Sequence, residues 1–288
     1  MRNALKPEVR GMLLVSASAL GFSVMHALIR FLTDDLHPFE VAFFRNFFGL
    51  VALAPLLLRQ GAKALHTSSP GMHVVRSLLQ TGSMLLFFTA LSMSALAKVS
   101  ALGFTAPLFA SLGAILFLRE RVRLQRALAL GVGVLGALVV VNPGASIDTG
   151  VVLVLISSAT WGVALILIKQ MSKRDSAVTL AFYMSALMAP MSLVPALFVW
   201  RWPSTLDLGL LFLMGGVGVA SHIALAQALR EADATVVLPF DFTRLIWASA
   251  LGYLLFSEVP GYHTWIGGLL IFASTSFIAY REQRLRPG

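Results

Sequence analysis

Two arginines and an aspartate lie where charge is costly. Arg45 sits in the stretch Glu40-Val41-Ala42-Phe43-Phe44-Arg45-Asn46-Phe47-Phe48-Gly49, one to two helical turns into an apolar run. Asp241 and Arg244 are three residues apart in Leu238-Pro239-Phe240-Asp241-Phe242-Thr243-Arg244, a spacing that places both on one helix face. An ionised group in an apolar interior needs a partner or a wet cavity. A guanidinium is also a planar fork that holds a carboxylate with two parallel hydrogen bonds. Arg45 and Arg244 outnumber Asp241, so this chemistry points to a ligand with an anionic group. Other arrangements stay open. Arg45 snorkels to the nearer interface, or Glu40 reaches it from there. Asp241 pairs with Arg244, or bridges to Arg45 from another segment. Pro239 frees a backbone carbonyl beside this pair.

Histidine is the side chain suited to carrying a proton near neutrality. His26 follows Ser23 by three residues, and His222 stands between Ser221 and Gln227. Each is either a coupling group or a neutral ring hydrogen-bonded to a neighbouring helix. His73 lies near the start of an apolar run and reads as interfacial. Lys98 stands at the opposite side, as an attractor for an anionic solute or as a surface lysine. Phe22, Phe43, Phe44, Tyr183, Phe240 and Phe242 flank the polar positions and suit the flat part of a solute. The candidate set for substrate binding or coupling is therefore Arg45, Asp241, Arg244, His26, His222, Asn46, Ser23, Phe43, Tyr183 and Gln227.

These residues must be held by membrane spans. Of 288 residues 58% are hydrophobic and 12% charged, with a mean hydropathy of +0.84. A soluble globule is nearer 45–50% apolar and about 25% charged. Ten apolar runs fall at roughly 11–32, 38–58, 72–94, 99–118, 126–142, 149–168, 177–199, 207–228, 234–256 and 262–280, each long enough to cross about 30 Å of hydrocarbon. Short links with turn residues join them, such as Asn142-Pro143-Gly144 and Glu258-Val259-Pro260-Gly261. The expected architecture is all-α and polytopic: one membrane domain over 1–288. The net charge is +9, and its placement sets a topology. Apart from Arg45 and Arg244 within spans, only Arg30, Lys98 and Arg201 fall on the side away from the termini. The positive-inside rule then puts both termini in the cytoplasm.

The chain also repeats itself. Ser18-Ala19-Leu20-Gly21-Phe22 echoes Ser158-Ala159-Thr160-Trp161-Gly162, and Phe43-Phe44 echoes Phe182-Tyr183. Leu112–Glu120 echoes Ala250–Glu258, both ending a span on an acid. Five spans per half, 11–142 and 149–280, make the second half enter the membrane inverted. Inverted repeats recur in secondary transporters, with the solute site at the repeat interface near mid-membrane. Pro107 and Pro190 fall mid-span and predict kinks, as Pro239 does near the start of the ninth span. Glycines crowd the fifth, eighth and tenth spans and permit close helix contact. A central cavity is expected between spans 1–4 and 6–9, with spans 5 and 10 peripheral.

Ten spans, two five-span halves and the Leu/Phe-x-Glu ends of the fourth and ninth spans resemble the drug/metabolite transporter superfamily, EamA type. The stretch Leu238–Pro260 is similar to bacterial members. The resemblance implies ten transmembrane helices in a bacterial cytoplasmic membrane and alternating-access transport of a small organic metabolite. It covers carriers of amino-acid-like solutes and of larger ones such as S-adenosylmethionine or riboflavin. Arg45 together with Asp241 and Arg244 departs from a plain member, since the fourth span has no matching charges.

Several classes are excluded. No Walker-type loop, His-Glu-x-x-His or Gly-x-Ser-x-Gly elbow occurs, and there is no cysteine. The glycines of 131–136 lie in an apolar span and are not a dinucleotide loop. The basic residues of 119–126 belong to a link and suit lipid headgroups, not nucleic acid. The chain is therefore expected to be no enzyme, to hold no cofactor or metal, and to act as a monomer or homodimer on a small organic solute, with a proton as a candidate coupling ion.

Overall fold

The computed structural model describes residues 6–61, 66, 67, 69–118, 124–142, 148–171, 174–232 and 238–284. Among these it is all-helical. The elements are α1 (Pro7–Leu32), α2 (Pro38–Gln60), α3 (Pro70–Met93), α4 (Leu96–Gly103), α5 (Ala106–Leu118), α6 (Leu124–Val141), α7 (Thr149–Met171), α8 (Ala177–Leu197) and α9 (Thr205–Glu231). A 3-10 segment (Leu238–Phe242), α10 (Thr243–Phe256) and α11 (Tyr262–Arg284) complete the chain. Seven stretches within α1–α5 and α7–α9, with α4 and α5 counted as one, are long and apolar enough to cross a membrane. With α6, α10 and α11 they make ten crossings.

Local sequence explains where the helices begin. Pro7, Pro38 and Pro70 occupy first-turn positions, where a missing N–H leaves nothing unsatisfied. His37 and Glu40 cap α2 reciprocally: the Phe39 amide donates to the His37 ring at 3.3 Å and the His37 amide to Glu40 at 3.0 Å. Ser204 and Asp207 form the same kind of box at α9.

Helix contacts obey the inverted repeat. The seam of α1 with α9 is matched by that of α7 with α3, and α2 with α9 by α8 with α3. The contact of α1 with α10 is matched by that of α7 with α4 and α5. Each of α2·α8, α4·α10 and α6·α11 is its own counterpart. The arrangement is two inverted five-helix repeats. As expected, α6 and α11, the fifth and tenth spans, pack on each other at the periphery. A Cβ on Gly136 would lie 2.8 Å from the Gly267 carbonyl, and one on Gly267 only 2.5 Å from that of Gly136. Ser274 pins the seam by donating to the Ala129 carbonyl at 2.5 Å.

The fourth and ninth spans are not continuous α-helices. The fourth is broken at Phe104-Thr105, within the turn preceding Pro107, which lies in the first turn of α5 and has no N–H to donate to the Gly103 carbonyl. Thr105 completes the break by donating to the Leu102 carbonyl at 2.6 Å. The ninth begins as the 3-10 segment containing Pro239 and becomes α-helical at Thr243, which donates to the Phe240 carbonyl at 2.7 Å. In the register that aligns Leu112 with Ala250, Phe104-Thr105 falls on Phe242-Thr243, so the two breaks are equivalent. At Pro190 the expected kink does not interrupt the helical run of α8.

On the side away from the termini, spans 1, 3, 4 and 9 are tied by one charged knot. Arg30 pairs with Glu258 at 2.9 Å and donates to the Leu91 and Ser94 carbonyls at 2.7 and 3.1 Å. The Leu96 amide donates to Glu258 at 2.8 Å. Lys98 is no free surface lysine: it pairs with Asp148 at 3.1 Å. Burial raises the Asp148 carboxyl, but hydrogen bonds from Ser94, the Val151 amide and Lys98 outweigh it and hold the group below its ordinary value.

Candidate functional site

Arg45 projects from α2 into the interface with α9 and is buried, at 8% exposure. It does not snorkel. One terminal nitrogen donates to Asn46 Oδ1 at 3.0 Å and the other lies 3.1 Å from His222 Nε2. Because a guanidinium only donates, that imidazole nitrogen accepts, and His222 is the neutral tautomer with its proton on Nδ1. A Cβ at Gly218 would lie 2.8 Å from Met25 Sδ and within 3.9 Å of the guanidinium, so glycine keeps this space open on α9. Asn46 is fully buried and donates to the Ala42 carbonyl at 3.0 Å and to Ser192 Oγ of α8 at 3.3 Å.

Glu40, the rival neutraliser, is committed elsewhere. Besides capping α2 it accepts from the Arg201 amide at 2.6 Å, and its ordering at the helix start keeps it off Arg45. Asp241 does not bridge to Arg45 either. It pairs with Arg244 at 2.7 Å within the first turns of the ninth span, because three residues of helix bring the two together at no conformational expense. Among the described residues, Arg45 therefore has only neutral hydrogen-bond partners, while Arg244 has a carboxylate.

The two arginines share one aromatic environment. His222 meets the Phe22 ring edge-on at 4.8 Å. The Arg244 guanidinium lies 5.9 Å from that same ring and 4.6 Å from Phe104. Ser23, next to Phe22, lies 3.0 Å from the carbonyls of both Ala19 and Arg244, which fixes α1 to the start of α10. His26 is buried one turn on, against Phe87 at 5.1 Å. Phe104 stacks on its repeat equivalent Phe242 at 6.3 Å. The cluster is thus Arg45, Asn46, His222, Phe22, Ser23, His26, Arg244 and Asp241, gathered from both repeats at the two helix breaks.

Three candidates are not brought there. Phe43 stacks on Phe47 and packs against Phe44 and Trp200 at the opposite end of α2 from Arg59. Tyr183 packs on His73 at 4.3 Å. Gln227 donates to Glu231 at 2.7 Å, which pairs with Arg10. Phe43-Phe44 lies near the start of α2 and Phe182-Tyr183 near the start of α8, and these two helices start on opposite sides. Phe104, Phe87 and Ser192 were missed. The repeat register carries a signal for Phe104, which aligns with Phe242; nothing local marks the other two. His73, expected at the interface, is fully buried and 2.8 Å from Asp175, because the link before α8 folds back over the start of α3. The basic residues 119–123 lie outside the described residues, as does the side chain of Pro239. Among the described residues no cluster of metal-binding type occurs.

Comparison with known proteins adds the family. The EamA-like transporter family matches twice, over residues 9–142 and 148–280. The chain is 31% identical over 285 residues to an S-adenosylmethionine uptake transporter of Rickettsia prowazekii, covering 99% of this chain and 97% of the relative. It is 30% identical over 282 residues to a riboflavin transporter of Vibrio cholerae, with 96% and 95% coverage. A pseudopaline exporter of Pseudomonas aeruginosa is 33% identical over 267 residues, with 91% and 93% coverage. A solved crystal structure superposes with a TM-score of 0.60 at 18% identity, covering 94% of this chain and 99% of that one, and so shares the fold. Twofold coverage by one family and full-length relatives agree with the inverted repeat seen in the helix contacts: the chain is a multi-pass bacterial membrane protein and a small-molecule transporter belonging to the EamA-like transporter family.

Proposed function

We propose that this protein carries S-adenosylmethionine across the bacterial cytoplasmic membrane by alternating access, with both termini in the cytoplasm. The observation that supports this most is Arg45, a buried guanidinium whose described partners, Asn46 and His222, are neutral. Burying an ion without a counter-charge is expensive, and a solute carboxylate removes that expense. S-adenosylmethionine carries an amino-acid carboxylate, cationic ammonium and sulfonium groups, and a flat purine. Arg45 suits the carboxylate, Asp241 the cationic part, and the rings of Phe22 and Phe104 the purine. The names of the full-length relatives point the same way. An amino-acid-like solute without a ring would use Arg45 but leave the aromatic pair idle, so the larger solute fits the site better.

The test is counterflow in proteoliposomes holding only the purified protein and no nucleotide triphosphate. Radiolabelled S-adenosylmethionine should enter saturably when the unlabelled compound is inside. Excess methionine, adenosine and riboflavin should each compete more weakly than S-adenosylmethionine itself. Stronger competition by riboflavin, or counterflow only of methionine, would replace the proposed solute; a requirement for ATP would reject secondary transport.

A further inference from the structure

The transport cluster leaves a second set of buried polar groups unused, on α3 and facing α8. His73, Arg76, Ser77 and Gln80 are all at 2% exposure or less, and with Met84 they follow one another at helical spacing down a single face of α3. Arg76 donates to the Leu180 carbonyl at 3.0 Å and Gln80 to Met184 Sδ at 3.8 Å. Yet His73 Nδ1, Arg76 Nε, Ser77 Oγ and Gln80 Oε1 have no partner among the described residues. The row ends at Met84, whose sulfur receives the Asn46 amide at 3.6 Å, and Asn46 holds Arg45. A row of side chains, polar but for Met84, therefore leads from the end of α3 on the side of the termini to the candidate solute site.

At its mouth stands His73. Its Nε2 is 2.8 Å from Asp175 Oδ2 and 3.1 Å from Thr67 Oγ1, and Thr67 donates to the same carboxylate oxygen at 2.9 Å. An ionised carboxylate only accepts, so Nε2 carries the proton that it shares with Asp175. The other nitrogen, Nδ1, is then a buried lone pair with nothing described donating to it. His222 is bound in the reverse sense, its Nε2 accepting from a cationic guanidinium. Of the two, only His73 has a carboxylate beside it to balance an added charge. The ionisable groups facing His73 are Asp175 from the link before α8, Tyr183 of α8, whose ring lies 4.3 Å away, and Arg76 on its own helix.

We propose that His73 with Asp175 is a proton-binding site of the transport cycle. Resting on the reading of this chain as a secondary transporter, it names the coupling ion. The proton adds to Nδ1, the imidazolium stays paired with Asp175, and no other bond changes. Because Asp175 tethers the start of α8 to α3, the added charge turns a neutral ring's hydrogen bond at that tie into an ion pair. The polar face of α3 connects that event to Asn46 and Arg45.

Two measurements test this. In histidine nitrogen NMR of the purified full-length protein, with the signal assigned by its loss in H73Q, His73 should gain a second ring proton as the pH is lowered through the range in which the protein stays folded and active. Asp175→Asn should move that transition. A ring that stays in one form across the range, or is unaffected by D175N, overturns the proposal whatever the solute. In proteoliposomes with the membrane potential clamped, one proton per solute should let each unit of pH difference sustain about a tenfold S-adenosylmethionine ratio. H73Q should lose that accumulation and keep solute exchange. Accumulation that survives in H73Q, exchange lost together with it in a folded protein, or wild-type flux indifferent to the pH gradient would each contradict the proposal. A titrating His73 with no flux of S-adenosylmethionine would instead reject the solute and retain the proton site.

Discussion

Arg45 and Arg244 are the same group in two states of pairing, and the difference follows from their neighbours in sequence. Arg244 has Asp241 one turn away on its own helix. Arg45 has Asn46 beside it and an imidazole across the seam. The presence of both charges was legible in the sequence, as was the local Asp241–Arg244 option. What the sequence left open was the choice among partners, since reach across a helix seam depends on which faces meet. Phe104 shows the same limit: one phenylalanine of 20 has no local mark, and only the break that aims it at Arg244 gives it a role. If Phe104 receives the purine, Phe104→Leu keeps the volume apolar but removes the stacking face. Stacking of a base on an aromatic side chain contributes about 1–3 kcal/mol. The half-saturation concentration for S-adenosylmethionine should therefore rise about fivefold to a hundredfold or more. Inhibition by methionine, which has no ring, should be unchanged.

Helix placement was largely readable because lipid demands long apolar runs, and every expected span has a helical counterpart. Pro107 and Pro239 pointed to the fourth and ninth spans, but not to the residues at which those helices break. Phe104-Thr105 is as apolar as its surroundings, and a threonine donating to the carbonyl three residues back is a choice made after packing. A sign was present in the repeat, since Phe104-Thr105 aligns with Phe242-Thr243, but sequence similarity between the halves is strongest only from Leu112 onward. Glycine crowding, by contrast, predicted close helix contact, and the α6–α11 seam has it. Gly267→Ala would place a methyl 2.5 Å from the Gly136 carbonyl and against Val140, where backbone cannot yield. Overpacking of this kind costs about 1–3 kcal/mol. The melting temperature in detergent should fall, while the apparent KM of the surviving folded protein stays at the wild-type value because neither helix carries the solute cluster. A shifted KM with unchanged melting would mean that α6 and α11 are not merely peripheral.

At the scale of the whole molecule, two inverted halves meet around a cluster to which both contribute: Arg45 and His26 from the first, His222 and Arg244 from the second. Such convergence suits an alternating carrier, whose solute site lies where the repeats meet. The charged knot of Arg30 and Glu258 ties the helix ends together on the side away from the termini. Composition and the basic bias made the membrane class and the expected sidedness plain. They carried no information about the burial of His73, because Asp175 reaches it from a link a hundred residues distant in the chain. The central claim is that Arg45 reads the carboxylate of the solute. It is tested most directly by the apparent KM of Arg45→Gln for S-adenosylmethionine and for its decarboxylated analogue, measured in the same proteoliposomes. A hydrogen bond to a charged group contributes about 1.5–3 kcal/mol, equivalent to roughly 10–150-fold. The account predicts a KM increase of that order for S-adenosylmethionine and little change for the analogue; an equal loss for both, with the variant folded, would contradict it.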